Sequence, residues 1–549
     1  MKKIHLQPLI GIILLLVIGS AFVFLYSPLI GNWFMSDDTY LMWASASLKL
    51  HEMFFSPERH RVLSSNFNPM YGVSFKIDWL LFNMNPVGYA VHNILSLSAV
   101  SIVLYFFIRL YTARLSALVG VSLFLLHPVT LHMTGLFFRK HYIEGLFWAL
   151  LDLYFFVRAD RMGRASVLSA FFYLIASLYR EVYVVLPAVA FLISKQSMIV
   201  KRLRNTLPLW AGLLIYTVWR LWIREGMGGY PSNQSLFSFE TLQFIPKVIA
   251  SLSLQWSSAY PVLVYILMTV LIISSLKYPR LLFCFLILLI PILPVSNIIT
   301  GGLSASKYFF HLTVFLIICI SLLIDKPPIK QTVLFRFILL SLCLFFSAGF
   351  IARDIHMVDD MLDESRKAKS TAMEFMYSGA PYIRAQQPSW FYEGLRNINR
   401  DFLGKHIQTQ LVPPDDFLPY ADPLKLREIT NSGINIPYQE ILEIRKKFRK
   451  GPINIKLHVD NYKLSWDFGP HRDKTYTLLR SLVSGLYYNK SDLISSGTYM
   501  LGKGDTHDTP EAVFIRVLYH TGTGEIVISP EFKLMIPSNK TIDYVQAAE

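Results

Sequence analysis

Over its first 350 residues the chain repeats one pattern. Apolar blocks of about 18–24 residues, the length that crosses a bilayer as a helix, alternate with short polar joints. The blocks fall near residues 8–30, 87–110, 115–133, 141–158, 206–223, 260–276, 281–297, 307–324 and 331–350. The stretch VLSAFFYLIASLYREVYVVLPAVAFLISKQ, residues 167–196, adds two shorter ones broken at Arg180–Glu181. The pattern therefore predicts a polytopic all-α membrane protein of about eleven spans. After residue 351 the pattern changes. Residues 352–450 are polar, helical in period and interrupted by Pro-rich breaks such as LVPPDDFLPYADP. Residues 451–549 alternate apolar and polar (INIKLHV, YKLSWDF, AVFIRVLYH, GEIVIS, EFKLMI) between Gly, Asp and Asn turns, the period of strands in a small β-sandwich. Three regions follow: a transmembrane domain over 1–351, a mostly helical region over 352–450, and a β-sandwich-like domain over 451–549.

Composition agrees. Hydrophobic residues make up 53% and charged ones only 16%, with a mean hydropathy of +0.42; a soluble chain of this length carries more charge. The net charge of +15 would suit nucleic acid, but no reader motif or basic stripe accompanies it. Lys and Arg gather instead in short joints, as the positive-inside rule requires of cytoplasmic loops. Lys2 and Lys3 hold the N-terminus in the cytoplasm. The apolar run behind them is too long for a signal-peptide core and ends in no small-x-small cleavage site, so it is read as a retained first helix. An odd number of spans then puts the C-terminal regions outside the cytoplasm. Cys284, Cys319 and Cys343 all fall inside predicted spans and cannot staple the soluble part.

Four stretches carry candidate chemistry. The first is SDDTYLMWASASL, where Asp37 and Asp38 stand side by side at the membrane boundary. One Asp suffices as an N-cap for the following helix. Two adjacent carboxylates repel, and one is pushed towards its protonated form, which suits a general base or a base beside a divalent cation. The second is Arg139–Lys140 in MTGLFFRKHYIEG. It sits at an outer helix end, where positive charge is usually sparse; the pair either snorkels to headgroups or clamps a phosphate. The third is Arg180–Glu181 in LYREVYVVLP, ionisable groups that face a cavity or each other at membrane depth. The fourth is Lys307, Tyr308 and His311, which open a span at its N-terminus, where anions are favoured. The hexapeptide GDTHDT, residues 504–509, reads as a polar hairpin loop or, through Asp505, His507 and Asp508, as a cation site. An acidic base plus external cations fits transfer of a group from a lipid phosphate.

The order of these stretches resembles the GT-C superfamily of membrane glycosyltransferases over about residues 8–325, and within it the O-mannosyltransferase-like branch, bacterial type. FMSDDTYLM resembles the acidic pair of that branch's first external loop. LLFNMNPVGYAVHNILSLSAVSIVLYFF, with His92, resembles its entry to the second span. LHPVTLHMTGLFFRKHYIEGLFW, with His141, resembles its His-Pro motif and following Arg. LYREVYVVLPAVAFL and SKYFFHL resemble its Lys-Glu and Arg-Tyr motifs, with Arg180 and Lys307 each exchanging one cation for the other. The resemblance implies sugar transfer from a polyprenyl-phosphate donor to an acceptor hydroxyl on protein, lipid or surface glycan, at the extracytoplasmic face of a bacterial inner membrane. It makes Asp37 and Asp38 catalytic and assigns Arg139, Lys140, Arg180 and Lys307 to the donor phosphate. Glu181, Tyr308, His92 and His141 support them, and a divalent cation beside the acidic pair is left open. SSNFNPMYGVSF stands where the family has an Arg-Pro segment, and no TPR array follows. Two other readings use the same residues: a transporter or flippase of lipid-linked glycans, and a scaffold whose external domain binds a partner.

Overall fold

The computed structural model describes residues 6–63, 66–224, 278–292, 306–326, 332–413, 417–449 and most of 451–546, short intervals and 501–510 excepted. The expected span at 260–276 and GDTHDT lie outside the described residues. Contacts divide the chain into two units. One holds residues 1–33 and 66–366; the other holds 34–65 and 367–549. The boundary expected at residue 351 falls inside one continuous helix, Thr332–Tyr377. The segment 34–65, expected to belong with the spans, groups with the C-terminal region.

The first unit is a helical bundle. Its helices are α1 Leu6–Tyr26, α5 Pro69–Phe82, α6 Pro86–Arg109, α7 Arg114–Leu126, α8 Pro128–Gly135, α9 Lys140–Arg161, α10 Val167–Tyr179, α11 Leu186–Ile193, α12 Ile199–Arg224, α13 Pro279–Leu289, α14 Ser306–Asp325 and most of α15 Thr332–Tyr377; the intervening α2 Asp38–Ser47, α3 Leu50–Phe55 and α4 Pro57–Leu63 belong to the other unit. Four described helices are long and apolar enough to cross a membrane: α6, α12, Lys307–Asp325 of α14 and Val333–Tyr377 of α15. A fifth candidate is the pair α7 and α8, bent by 54°. Several expected spans are shorter apolar helices here, and α9 carries Lys140, Glu144, Asp152, Arg158, Asp160 and Arg161 along its 22 residues. The bend between α7 and α8 has a local cause. Pro128 lacks an N–H, and the residue before a proline is driven out of the helical region. His127 is accordingly extended (φ −77°, ψ 128°), and its Nδ1 accepts the Val129 N–H at 3.2 Å to cap α8. Asn85 caps α6 in the same way ahead of Pro86.

The second unit continues with α16 Ser389–Leu403, α17 Pro423–Asn431 and α18 Tyr438–Arg445, then strands. β1 Tyr382–Arg384 pairs in parallel with β2 Gln410–Val412. Ten further strands follow: β3 Phe448–Arg449, β4 Ile453–Asn461, β5 Lys463–Gly469, β6 Tyr476–Ser481, β7 Asn489–Leu493, β8 Ser496–Met500, β9 Glu511–His520, β10 Ile526–Ile528, β11 Phe532–Ile536 and β12 Ser538–Gln546. They form one sheet in the order β3-β10-β9-β6-β7, with β11 also paired to β9, and a second in the order β12-β4-β5-β8. Ile455, Leu457, Trp466 and Phe468 of the second sheet share one buried core with Tyr476, Val517, Tyr519 and Leu534 of the first. The period-two pattern of the sequence thus becomes two sheets packed face to face. Gly497 lies opposite Trp466 in the β5–β8 register, and a Cβ there would stand 2.7 Å from the indole, so the glycine makes the room the ring occupies.

Candidate active site

In the helical unit three cations meet around one histidine. Arg139 ends the short 3-10 turn Phe137–Arg139 just before α9. Arg180 sits in the extended joint between α10 and the 3-10 turn Glu181–Val185. Lys307 lies in the first turn of α14. All three act electrostatically on His141, in the first turn of α9. Arg139, Arg180 and His141 are each under a tenth exposed. Arg139 Nη1 lies 2.8 Å from His132 Nδ1, and the Arg180 guanidinium lies over the Tyr142 ring at 5.0 Å.

His141 is held in one orientation. Its Nδ1 lies 3.1 Å from the Phe138 carbonyl, which fixes the proton on Nδ1. The same carbonyl accepts the Tyr71 hydroxyl at 2.5 Å. Tyr71 and Tyr142 flank the imidazole at centroid distances of 4.2 and 4.3 Å. That leaves Nε2 as a buried lone pair with no hydrogen-bond partner among the described residues. A buried polar atom without a partner costs about 1–3 kcal/mol, and Nε2 is one of several such atoms among the described residues.

Lys140 does not join this cluster. It is fully buried, paired with Asp78, and stacked 4.1 Å over the Phe75 ring. His92 belongs to that second group. Its Nδ1 lies 2.6 Å from Asp78 Oδ1 and its Nε2 3.4 Å from Glu144 Oε1, which also accepts the Ser74 hydroxyl at 2.8 Å. Lys140, expected on the donor phosphate, is thus paired with Asp78 inside the wall made by α5, α6 and α9. Arg139 closes the 3-10 turn and Lys140 opens α9, and the two side chains meet different partners, His132 and Asp78.

Glu181 acts electrostatically with Arg180 and also with Arg220 and Arg224 at the end of α12. The sequence reading passed over those two arginines. The signal was present in WRLWIR, two cations closing an apolar helix. Tyr308 packs into an apolar cluster with Val189, Cys284 and Leu288, fixing the start of α14 on which Lys307 rides. His311 is buried, and its Nε2 lies 2.9 Å from the Leu288 carbonyl, a cross-link between α13 and α14. The three cysteines are buried and form no disulfide.

In the second unit the two aspartates differ. Asp38 is fully buried, and its Oδ2 accepts the Met35 N–H at 2.8 Å. Asp37 is half-buried and makes no capping bond to α2; the Ser36 hydroxyl lies 3.4 Å from its Oδ1. The cap expected of this pair is thus replaced by a turn that Asp38 folds back to hold, and the carboxylate at the N-cap position is not used as a cap. Among the described residues no group of three or more His, Cys, Asp and Glu side chains is placed to hold a metal ion.

No protein-family model matches the chain, and no curated protein is similar to it in sequence. Among solved structures, the crystal structure of ArnT from Cupriavidus metallidurans in the apo state aligns over 80% of this chain and 90% of its own, at 14% identity and a TM-score of 0.43.

Proposed function

We propose that the protein is a membrane glycosyltransferase that moves a sugar from a polyprenyl-phosphate donor to an acceptor hydroxyl at the extracytoplasmic face. The observation that carries this reading is the convergence of Arg139, Arg180 and Lys307 on the buried His141. Guanidinium groups present forked donors that match phosphate oxygens. Three fixed cations stabilise a leaving phosphate without reorganising as charge develops on it. The GT-C-like motif order supplies the sugar; the narrower O-mannosyltransferase-like branch rests on the motifs alone.

The chemistry follows from the residues. The Asp37 carboxylate takes the proton of the acceptor hydroxyl. The hydroxyl oxygen forms a bond to the anomeric carbon as the bond from that carbon to the phosphate oxygen breaks. The electron pair leaves with the polyprenyl phosphate, whose charge Arg139, Arg180 and Lys307 hold. Asp37 returns its proton to water. Asp38, whose Oδ2 accepts the Met35 amide, shapes the turn.

The test is sugar release in proteoliposomes holding the purified full-length protein, a panel of radiolabelled polyprenyl-phosphate monosaccharides and a cell-envelope extract. Asp37→Asn should lose orders of magnitude in turnover. Arg139→Ala, Arg180→Ala and Lys307→Ala should each lose roughly 10- to 150-fold in kcat/KM, the worth of a charged hydrogen bond. Label that crosses the bilayer still attached to lipid, at the same rate in wild type and Asp37→Asn, would establish the transporter instead.

A further inference from the structure

We infer that α16 and the turn before it form the device that aims Asp37, with Gln387 as a positioning residue. The inference rests on the assignment of Asp37 as the base.

The acidic pair sits on a backbone that does not hold its own shape. Ser36 has φ +51°, a conformation L-residues other than Gly, Asn and Asp seldom adopt and one that persists only when its surroundings impose it. Those surroundings come from residues about 350 positions later in sequence. The Ser36 N–H donates to Gln387 Oε1 at 3.0 Å. The Gln387 backbone is itself fixed, because the buried Tyr392 hydroxyl accepts the N–H groups of Gln386 and Gln387 at 3.0 and 3.3 Å. Gln386 Oε1 accepts the Thr371 hydroxyl at 3.0 Å, which ties the turn to α15.

Two more anchors follow along α2. The Thr39 hydroxyl donates to the Phe391 carbonyl at 2.5 Å. Beside it the helices cross at Gly394, where a Cβ would stand 2.3 Å from the Tyr40 nitrogen and 2.4 Å from the Thr39 carbonyl carbon. Those are backbone atoms, so no side chain can swing away to make room. At the far end Trp43 Nε1 donates to Asp401 Oδ2 at 2.8 Å, while Arg400 Nε holds Oδ1 at 2.7 Å. Three anchors fix α2 in position and tilt. The first lies one residue from Asp37 and holds the strained peptide that sets its direction. A base must sit within hydrogen-bond reach of the proton it takes, and an error of about 1 Å in such a group costs on the order of 10²-fold in rate. Asp37 is therefore aimed by the C-terminal region as well as by its own loop.

The test compares Gln387→Met, Gln387→Glu, Gly394→Ala and Asp37→Asn in the same proteoliposome assay, with the radiolabelled polyprenyl-phosphate monosaccharides as donor. Gln387→Met keeps the length and removes the acceptor. It should lower kcat by 10-fold or more, on the order of the positioning cost above, and leave KM for the lipid donor unchanged. Gln387→Glu keeps an oxygen for the Ser36 N–H and adds a negative charge next to Asp37. It should regain most of kcat and move the acidic limb of the pH–rate profile to higher pH, because a neighbouring carboxylate favours the protonated acid. A residue that served folding alone would move melting temperature and leave the profile where it was. Gly394→Ala should lower both kcat and thermal stability. Wild-type kcat and pH profile in Gln387→Met, with Asp37→Asn inactive, would overturn the positioning role alone. Wild-type turnover in Asp37→Asn would overturn the assignment of the base.

Discussion

At the scale of single residues the same amino-acid types take different parts. Asp37 and Asp38 are indistinguishable as letters, yet one oxygen of Asp38 is bound to a backbone amide while Asp37 makes no cap. His141 and His127 are both buried, yet His127 Nδ1 accepts the Val129 N–H and caps a helix while His141 Nδ1 faces the Phe138 carbonyl. Sequence could nominate the acidic pair and the histidines from their places in the motif order. It could not assign atoms, because the contacts that lock His141 come from Tyr71, about 70 residues away in sequence. The locked tautomer makes a prediction. With Nδ1 protonated, Nε2 accepts a hydrogen bond from a hydroxyl of the bound sugar. His141→Asn keeps a donor for the Phe138 carbonyl and loses the Nε2 position; it should lower kcat/KM by roughly 10- to 100-fold, the worth of one buried hydrogen bond left unmade. His141→Gln places a polar atom near the Nε2 position and should recover part of that loss. Equal rates in the two variants would show that Nε2 touches nothing that matters to the reaction.

At the scale of elements, packing decides what a charge is for. Helix α9 was legible from its apolar run, and its start from the Arg139–Lys140 step. The partner of Lys140 was not, because Asp78 is 62 positions earlier on α5 and nothing local in sequence announces that the two helices touch. Breaking a buried ion pair leaves the surviving charge uncompensated and costs about 3–5 kcal/mol, whereas replacing both partners by apolar groups is often neutral. Lys140→Met should therefore lower the melting temperature of the detergent-purified protein markedly, and Asp78→Leu combined with Lys140→Met should restore much of it. A phosphate ligand would behave differently: its loss would spare stability and no second substitution would restore turnover. The long reach of α15 was also hidden from the pattern. Its apolar half looks like a complete span and its polar half like a separate region, yet the hydrogen-bond ladder runs through the change of composition without a break.

At the scale of the molecule, the helical unit has two chemically distinct ends. A helix of 22 residues is about 33 Å long, so the two ends of α9 lie a bilayer core apart. One end carries the His141 site. At the other, Asp160 accepts the Ser194 hydroxyl, the Lys195 N–H and the Asn205 amide, and so pins the joint between α11 and α12. That second end is basic: Arg161, Arg202 and Arg204 each bond to loop or helix-end carbonyls there. The positive-inside rule predicts that it faces the cytoplasm, which would leave the cations at the His141 end where topology alone would not put them. The proposed transfer from a lipid-borne donor at the extracytoplasmic face requires this orientation, and labelling can test it. The three native cysteines are buried and give little background. Lys201→Cys, at an exposed position beside the basic end, should react with a membrane-impermeant maleimide only after spheroplasts are permeabilised. Ser432→Cys, exposed just after α17, should react in intact spheroplasts. The reverse pattern would put the C-terminal region in the cytoplasm and, with it, the turn that carries Asp37, and sugar transfer at the outer face could not then use that carboxylate as its base.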